Sequence, residues 1–285
     1  MGLLSIKMIT FAIMMKKTLA ALAAGVALLC SCGGGEATTA TVDGISFDSI
    51  VVDTTVQLIG DGSKSPECRI RLSMQYAKGD KRAALMNDSL LHSGLLVPDY
   101  LALGNEQLDF SHAVDSFVSR YAADYQRDYA PLYRQDQQNE ASYNAEYRVT
   151  TRTQNGRDNV VCYLADVYTY GGGAHGNRQT IVKNINVETG HVMTLHDVFA
   201  PGFEQGLCEE IMKRLCKAFD AKGIEGLRQQ GILVGIDLYP TDNFVLGKDE
   251  ITFIYVEDEI APHATGEIKV VIPYSDLDHI LKQKP

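Results

Sequence analysis

The sequence predicts an α+β fold of mostly antiparallel sheets with helices packed on them, built as two closely associated subdomains. Three observations lead there. Residues 45–58 and 68–76 alternate apolar and polar side chains, as Ile70, Leu72, Met74 and Tyr76 do, which is the two-residue period of a half-buried strand. Phe110, Val114, Phe117, Tyr121, Tyr125 and Tyr129 recur at steps of three and four, which places them on one face of a helix. Strands and helices then follow in uneven groups rather than in regular strand–helix–strand units.

Taken in order, the two opening strands lead into a helix over residues 81–92. A longer helix starts at about Ser111 and is expected to close at Pro131, because proline brings no N–H to the helical ladder. Its tyrosine stripe reads as a face packed on a sheet with hydroxyls at the rim; the alternative is a sugar-stacking surface. Strand character resumes at Tyr143, Tyr147, Val149 and Thr151. The turn Asn155-Gly156 then announces a hairpin with the run Val160 to Tyr170. Beyond the glycine-rich segment 171–176 comes a strand from Gln179 to Val187, and then a helix from about Phe203 to Ala221. A strand pair, Asn243–Leu246 and Glu250–Val256, is joined across Gly247-Lys248. The strand Glu267–Ile272 and a short helix after Pro273 complete the chain.

Residues 1–31 read as an export signal. Lys16-Lys17 precede the apolar run Leu19 to Leu29, and Leu29-Cys30-Ser31-Cys32 forms a small-residue processing site. The run is well short of the roughly 20 residues that a membrane-spanning helix needs. Small Ser31 precedes Cys32, whereas bulky Leu29 precedes Cys30, so Cys32 is the expected lipidation site. Met1, Met14 and Met15 are alternative starts. Residues 32–44, beginning Gly33-Gly34-Gly35, form a flexible tether. The expected location is the cell envelope, as a lipoprotein anchored to the membrane by its acyl chains and facing the periplasm or the exterior.

Once the signal is removed, 23 basic residues face 36 acidic ones, a formal charge of −13. Such a chain is repelled by nucleic acid and attracted to basic partners. Cys208 and Cys216, eight residues apart on one helix, lie about 12 Å apart, beyond disulfide reach. Cys68 and Cys162 border strands, and whether they pair stays open at this level.

Four segments together carry a family resemblance. They are Tyr170-Gly171-Gly172-Gly173-Ala174-His175-Gly176, Asn186–Gly190 with Leu195–Phe199, Glu259–Gly266, and Ile272–Leu277. Their order resembles domain-of-unknown-function family 3298, and the preceding half resembles family 4163, its usual N-terminal companion. On this basis residues 45–172 form one subdomain and 173–285 the other. The resemblance implies a place rather than a reaction. Similar domain pairs form the extracytoplasmic part of a lysozyme-sensing anti-sigma factor and accompany the catalytic domain of a peptidoglycan deacetylase. His263 departs from the family pattern, which usually has an aromatic residue there, most often Tyr.

Two loops supply the candidate ligand-binding residues. One holds Gly172, Gly173 and His175, where glycines allow close backbone approach, with Tyr168 and Tyr170 beside them as stacking rings. The other holds Glu257, Asp258, Glu259 and His263, a site for a hard metal or a basic group, or simply a solvated acidic face. No nucleotide fingerprint or Gly-x-Ser-x-Gly elbow appears, and His191 and His196 are poorly spaced as metal ligands. No cofactor, metal or catalytic set is therefore expected. The sequence points to a non-catalytic binding or sensing module for peptidoglycan or for a basic protein such as a lysozyme-like hydrolase. The alternative is a cell-wall hydrolase pairing His175 with Asp166 or Glu259.

Overall fold

The computed structural model describes residues 39–60, 65–100 and 109–282. The signal segment, Cys32 and the first part of the tether lie outside the described residues. No helix among the described residues is long and apolar enough to cross a membrane.

Strands β1 (Ile45–Gln57) and β2 (Glu67–Gly79) pair antiparallel from Ile45↔Gly79 to Gln57↔Glu67. The alternation in β2 is realised as expected, with Cys68, Ile70, Leu72 and Met74 buried. Helix α1 (Lys81–Leu91) starts at Asp80, whose side chain accepts from the Arg82 N–H. Helix α2 (Phe110–Gln135) starts at Asp109, which accepts from Ser111 and His112. These caps satisfy amides that the first helical turn leaves without partners. Pro131 does not close α2, which runs on to Gln135. Proline removes its own bond to the carbonyl four residues back and crowds that carbonyl with its ring, which the last turn tolerates. Tyr133, packed edge-on to Tyr143 at 5.7 Å, holds the last turn in place.

The two helices form the crossover to β3 (Ala145–Asn155), which lies parallel to β2 from Cys68↔Ala145 to Ser73↔Thr150. Strands β4 (Val160–Tyr170) and β5 (Asn177–Asn186) add antiparallel, giving the order β1-β2-β3-β4-β5. The β3–β4 hairpin is present, but its left-handed residues are Asp158 and Asn159, not Asn155-Gly156. Gly156 is needed for another reason, since a Cβ there would run into the Leu246 carbonyl.

One face of this sheet packs on α1 and α2, and buries Tyr147, Val149, Val161, Tyr163, Ala165 and Val167. The opposite face supplies Val160, Cys162, Leu164 and Val182 to a second core. That core also takes α3 (Leu195–Val198), α4 (Glu204–Ala218) and α5 (Gly223–Gln229). Its remaining wall is an antiparallel sheet of β6 (Phe244–Leu246), β7 (Glu250–Tyr255) and β8 (Ile268–Pro273). The uninterrupted apolar run Val160–Ala165 is thereby explained, because β4 is buried on both faces. The helix expected over 203–221 is α4, which ends at Ala218 ahead of Asp220 with its φ of +48°, and α5 follows beyond the expected span. The expected terminal helix is one 3-10 turn, Tyr274–Asp276. The boundary expected between 172 and 173 falls in the connection between β4 and β5, hydrogen-bonded neighbours in one sheet.

Cys68 and Cys162 belong to cores on opposite sides of the sheet and are not bonded to each other. Burial pushes both thiols up to about 12. Cys208 and Cys216 lie half-buried on α4, also as thiols.

Two asparagines join the sheets. Asn184 on β5 accepts from Leu246 N–H at 3.0 Å and donates to Phe244 C=O at 2.7 Å. Asn243 reciprocates, accepting from Val182 N–H at 2.8 Å and donating to Thr180 C=O at 2.7 Å. Each side-chain amide reproduces one rung of a ladder that the two backbones do not make directly.

Candidate functional site

The glycine-rich and acidic loops meet. His175 lies on the β4–β5 connection and His263 begins a 3-10 turn before β8, and their rings stack with centroids 4.2 Å apart. His263 Nδ1 sits 3.1 Å from Asp258 Oδ2 and 3.6 Å from Glu257 Oε2. Glu257 also accepts from the Arg178 N–H at 3.1 Å, which fastens the acidic loop to the start of β5. Asp258 adopts a left-handed φ of +65° at the tip.

Glu259 is a brace rather than an open carboxylate. It accepts from Tyr239 O–H at 2.7 Å and from Val256 N–H at 2.7 Å. Burial, and then the Glu259 carboxylate, push the Tyr239 hydroxyl up to about 12. Through this brace the segment 231–239 runs beside the acidic loop, and Leu233 N–H donates to Ile260 C=O at 2.8 Å. Val234, Ile236 and Tyr239 on that segment are 64%, 37% and 42% exposed. Large apolar side chains in such a group mark contact surfaces more often than isolated ones do. Asp237 stands between them, in loose contact with Arg228 at 3.8 Å. Three exposed apolar side chains thus lie on a segment tied to the acidic loop through Tyr239–Glu259 and Leu233–Ile260. The sequence reading missed Val234, Ile236 and Tyr239; the available signal was their apolar spacing in a glycine-rich segment with no helical or strand period.

The other expected site residues have different surroundings. Gly172, at φ +79°, passes so close to the Ser142 carbonyl that no Cβ fits, whereas a Cβ on Gly173 would meet only the His175 carbonyl at 3.9 Å, an ordinary contact. The Tyr168 ring already has partners, with the Arg148 guanidinium 4.9 Å from its centroid and Gly176 packed against its edge. Tyr170 turns away from the loop pair and lines a cleft beside α2.

Among the described residues, His175 has no carboxylate partner. Its Nδ1 lies 3.4 Å from its neighbour's carbonyl, Gly176 O. Asp166 is held by Arg152 at 2.9 Å, and Glu259 by the brace described above. A base needs a partner within hydrogen-bond reach, and neither proposed pair has that geometry. Among the described residues, no group of three or more His, Cys, Asp or Glu is arranged to hold a metal ion.

The family model described as "Protein of unknown function (DUF3298)" matches residues 196–275. That span carries both the 231–239 segment and the acidic loop, and begins after the glycine-rich loop. A crystal structure of a DUF3298 family member from Bacteroides fragilis NCTC 9343 superposes with a TM-score of 0.73 at 27% identity, covering 85% of this chain and 95% of that one. A DUF3298 family protein from Pseudomonas aeruginosa PAO1 shares the fold, with a TM-score of 0.56 at 16% identity over 84% of this chain and 94% of that one. No curated protein matches.

Proposed function

We propose that the chain, with a DUF3298 domain at residues 196–275, is an envelope lipoprotein whose loop face binds a basic protein without catalysing a reaction. The observation that carries this reading is the exposure of Val234, Ile236 and Tyr239 on a segment that the Tyr239–Glu259 and Leu233–Ile260 hydrogen bonds tie to the acidic loop. Protein interfaces place apolar and aromatic anchors at the centre and charge at the rim, where it steers approach and selects the partner. A formal charge of −13 on the mature chain extends the same preference to long range. The resemblance of residues 45–172 to family 4163 supports an extracytoplasmic setting, and a lysozyme-like hydrolase is the partner of suitable charge.

Binding of lysozyme to the full chain should weaken at least about tenfold between about 0.05 and 0.5 M salt, as the Debye length falls from roughly 14 to 4 Å. Asp237→Asn with Asp258→Asn should weaken it at low salt and flatten the salt response. Binding indifferent to both changes defeats the reading, and turnover of glycan would favour the hydrolase alternative. The anchor is tested separately. Cys32→Ala should leave the membrane fraction or stay unprocessed, whereas Cys30→Ala should behave as the unaltered protein. Equal membrane recovery of the two would remove the lipidation site.

A further inference from the structure

We propose that the tyrosine cleft beside α2 is a binding site for a neutral saccharide chain, separate from the loop face and independent of its reading. The cleft has a volume of about 290 Å³ and is lined by Tyr100, Tyr121, Tyr125, Tyr129 and Tyr170. Small-molecule sites are concave, largely aromatic and equipped with a few placed polar groups. Here Asp124 and Asp128, on the same helix face as the rings and each held by Arg127, supply those groups through their remaining lone pairs.

The rings divide into supports and contacts. Tyr100 donates to Asp124 at 2.5 Å, and this hydrogen bond, ahead of Arg127, holds the Asp124 carboxyl below the usual range. Tyr125 donates to the Tyr143 carbonyl at 2.9 Å and is buried. The hydroxyls of Tyr121, Tyr129 and Tyr170, by contrast, have no hydrogen-bond partner among the described residues. An apolar ligand would strip water from these hydroxyls and return nothing, whereas a ligand rimmed with hydroxyls pairs with them. A pyranose ring offers both a C–H face for the aromatic rings and a polar edge for the hydroxyls and carboxylates.

Tyr170 and Ala145 also border a second depression of about 480 Å³, which carries Gln57, Glu67, Arg69, Asn144 and Glu146. Two adjoining volumes that share one ring suit a chain of at least two sugars better than a single one. The charges select its type. Asp124 and Asp128 are paired with Arg127, Glu67 with Arg69, and Glu146 with Arg71 and Arg148, so among the described residues these cations are already engaged and offer little to an anionic saccharide, whereas a neutral one is accepted.

The test uses the full chain and three probes: N-acetylglucosamine trimer, cellotriose and a trimer of galacturonic acid. Calorimetry and tyrosine fluorescence report binding, the latter cleanly because the chain has 14 tyrosines and no tryptophan. A neutral trimer should saturate the site, bind tighter than its monosaccharide, and bind alike at low and high salt, while the uronic acid trimer should fail. Tyr170→Ala should weaken binding about tenfold, the scale of one lost ring contact. Should that variant lose its native melting transition, Tyr129→Phe and Asp128→Asn keep every ring and should still weaken binding several-fold. Failure of both neutral trimers to saturate at millimolar concentration overturns the proposal. So does tighter binding of the uronic acid, or unchanged affinity in natively melting variants. Asp237→Asn with Asp258→Asn should leave saccharide affinity unchanged, so failure here and failure of the protein-partner reading are distinguishable.

Discussion

Asn184→Ala should destabilise the protein by about 3 kcal/mol, because it breaks two hydrogen bonds and leaves two backbone groups of β6 unpaired. A typical intramolecular hydrogen bond contributes about 1 kcal/mol net, while a buried donor or acceptor left without a partner costs about 1–3 kcal/mol. Asn184 is 2% exposed, so water cannot easily replace the missing amide. Asn243→Ala should have a comparable effect, since its amide also reaches the Ile254 carbonyl at 3.0 Å. The two residues serve one seam, and the double variant should therefore cost less than the sum of the singles. Urea denaturation checks this through the midpoint at unchanged slope. A change below about 0.5 kcal/mol in either single variant, the usual scatter of a neutral surface substitution, would contradict the seam.

Gly172→Val should be similarly damaging, and Gly173→Val much less so. At position 172 the backbone is left-handed, which a β-branched residue strongly resists, and the added Cβ would collide with the Ser142 carbonyl. Strain in such a conformation costs about 1–3 kcal/mol before the collision is counted. At position 173 φ is ordinary and a Cβ meets only the His175 carbonyl at 3.9 Å. The melting temperature should thus fall by several degrees for Gly172→Val, and Gly173→Val should melt close to the unaltered protein. Equal losses would mean that the loop as a whole is constrained. Equal stability with lost binding in both would make it a contact surface.

The elements themselves were legible because their periods are local. Ile70, Leu72 and Met74 alternate within one strand, and the stripe from Phe110 to Tyr129 repeats within one helix, so each reveals its buried face without knowledge of the partner. The hairpin after Asn155 was legible for the same reason, although Asp158 and Asn159 take the left-handed positions. Proline at 131 misled because its cost, a lost hydrogen bond and a ring crowding the carbonyl four residues back, is set against the packing of Tyr133 on Tyr143 in the turn that follows.

The sequence by itself determined which residues form strands and helices, the α+β class, the acidic charge, and the two loops where ligand residues were sought. Tertiary structure alone decided that β4 is buried on both faces, that Cys68 and Cys162 lie on opposite sides of the sheet, and that Gly172 rather than Gly173 is constrained. It also set His175 against His263, Val234 and Ile236 beside the acidic loop, and Tyr170 with Tyr121 and Tyr129 around one cleft. Periodicity records only which way a side chain points from its own element, whereas a site is made of side chains from elements far apart in sequence. Their meeting depends on sheet order and crossover, which are settled by packing the whole chain.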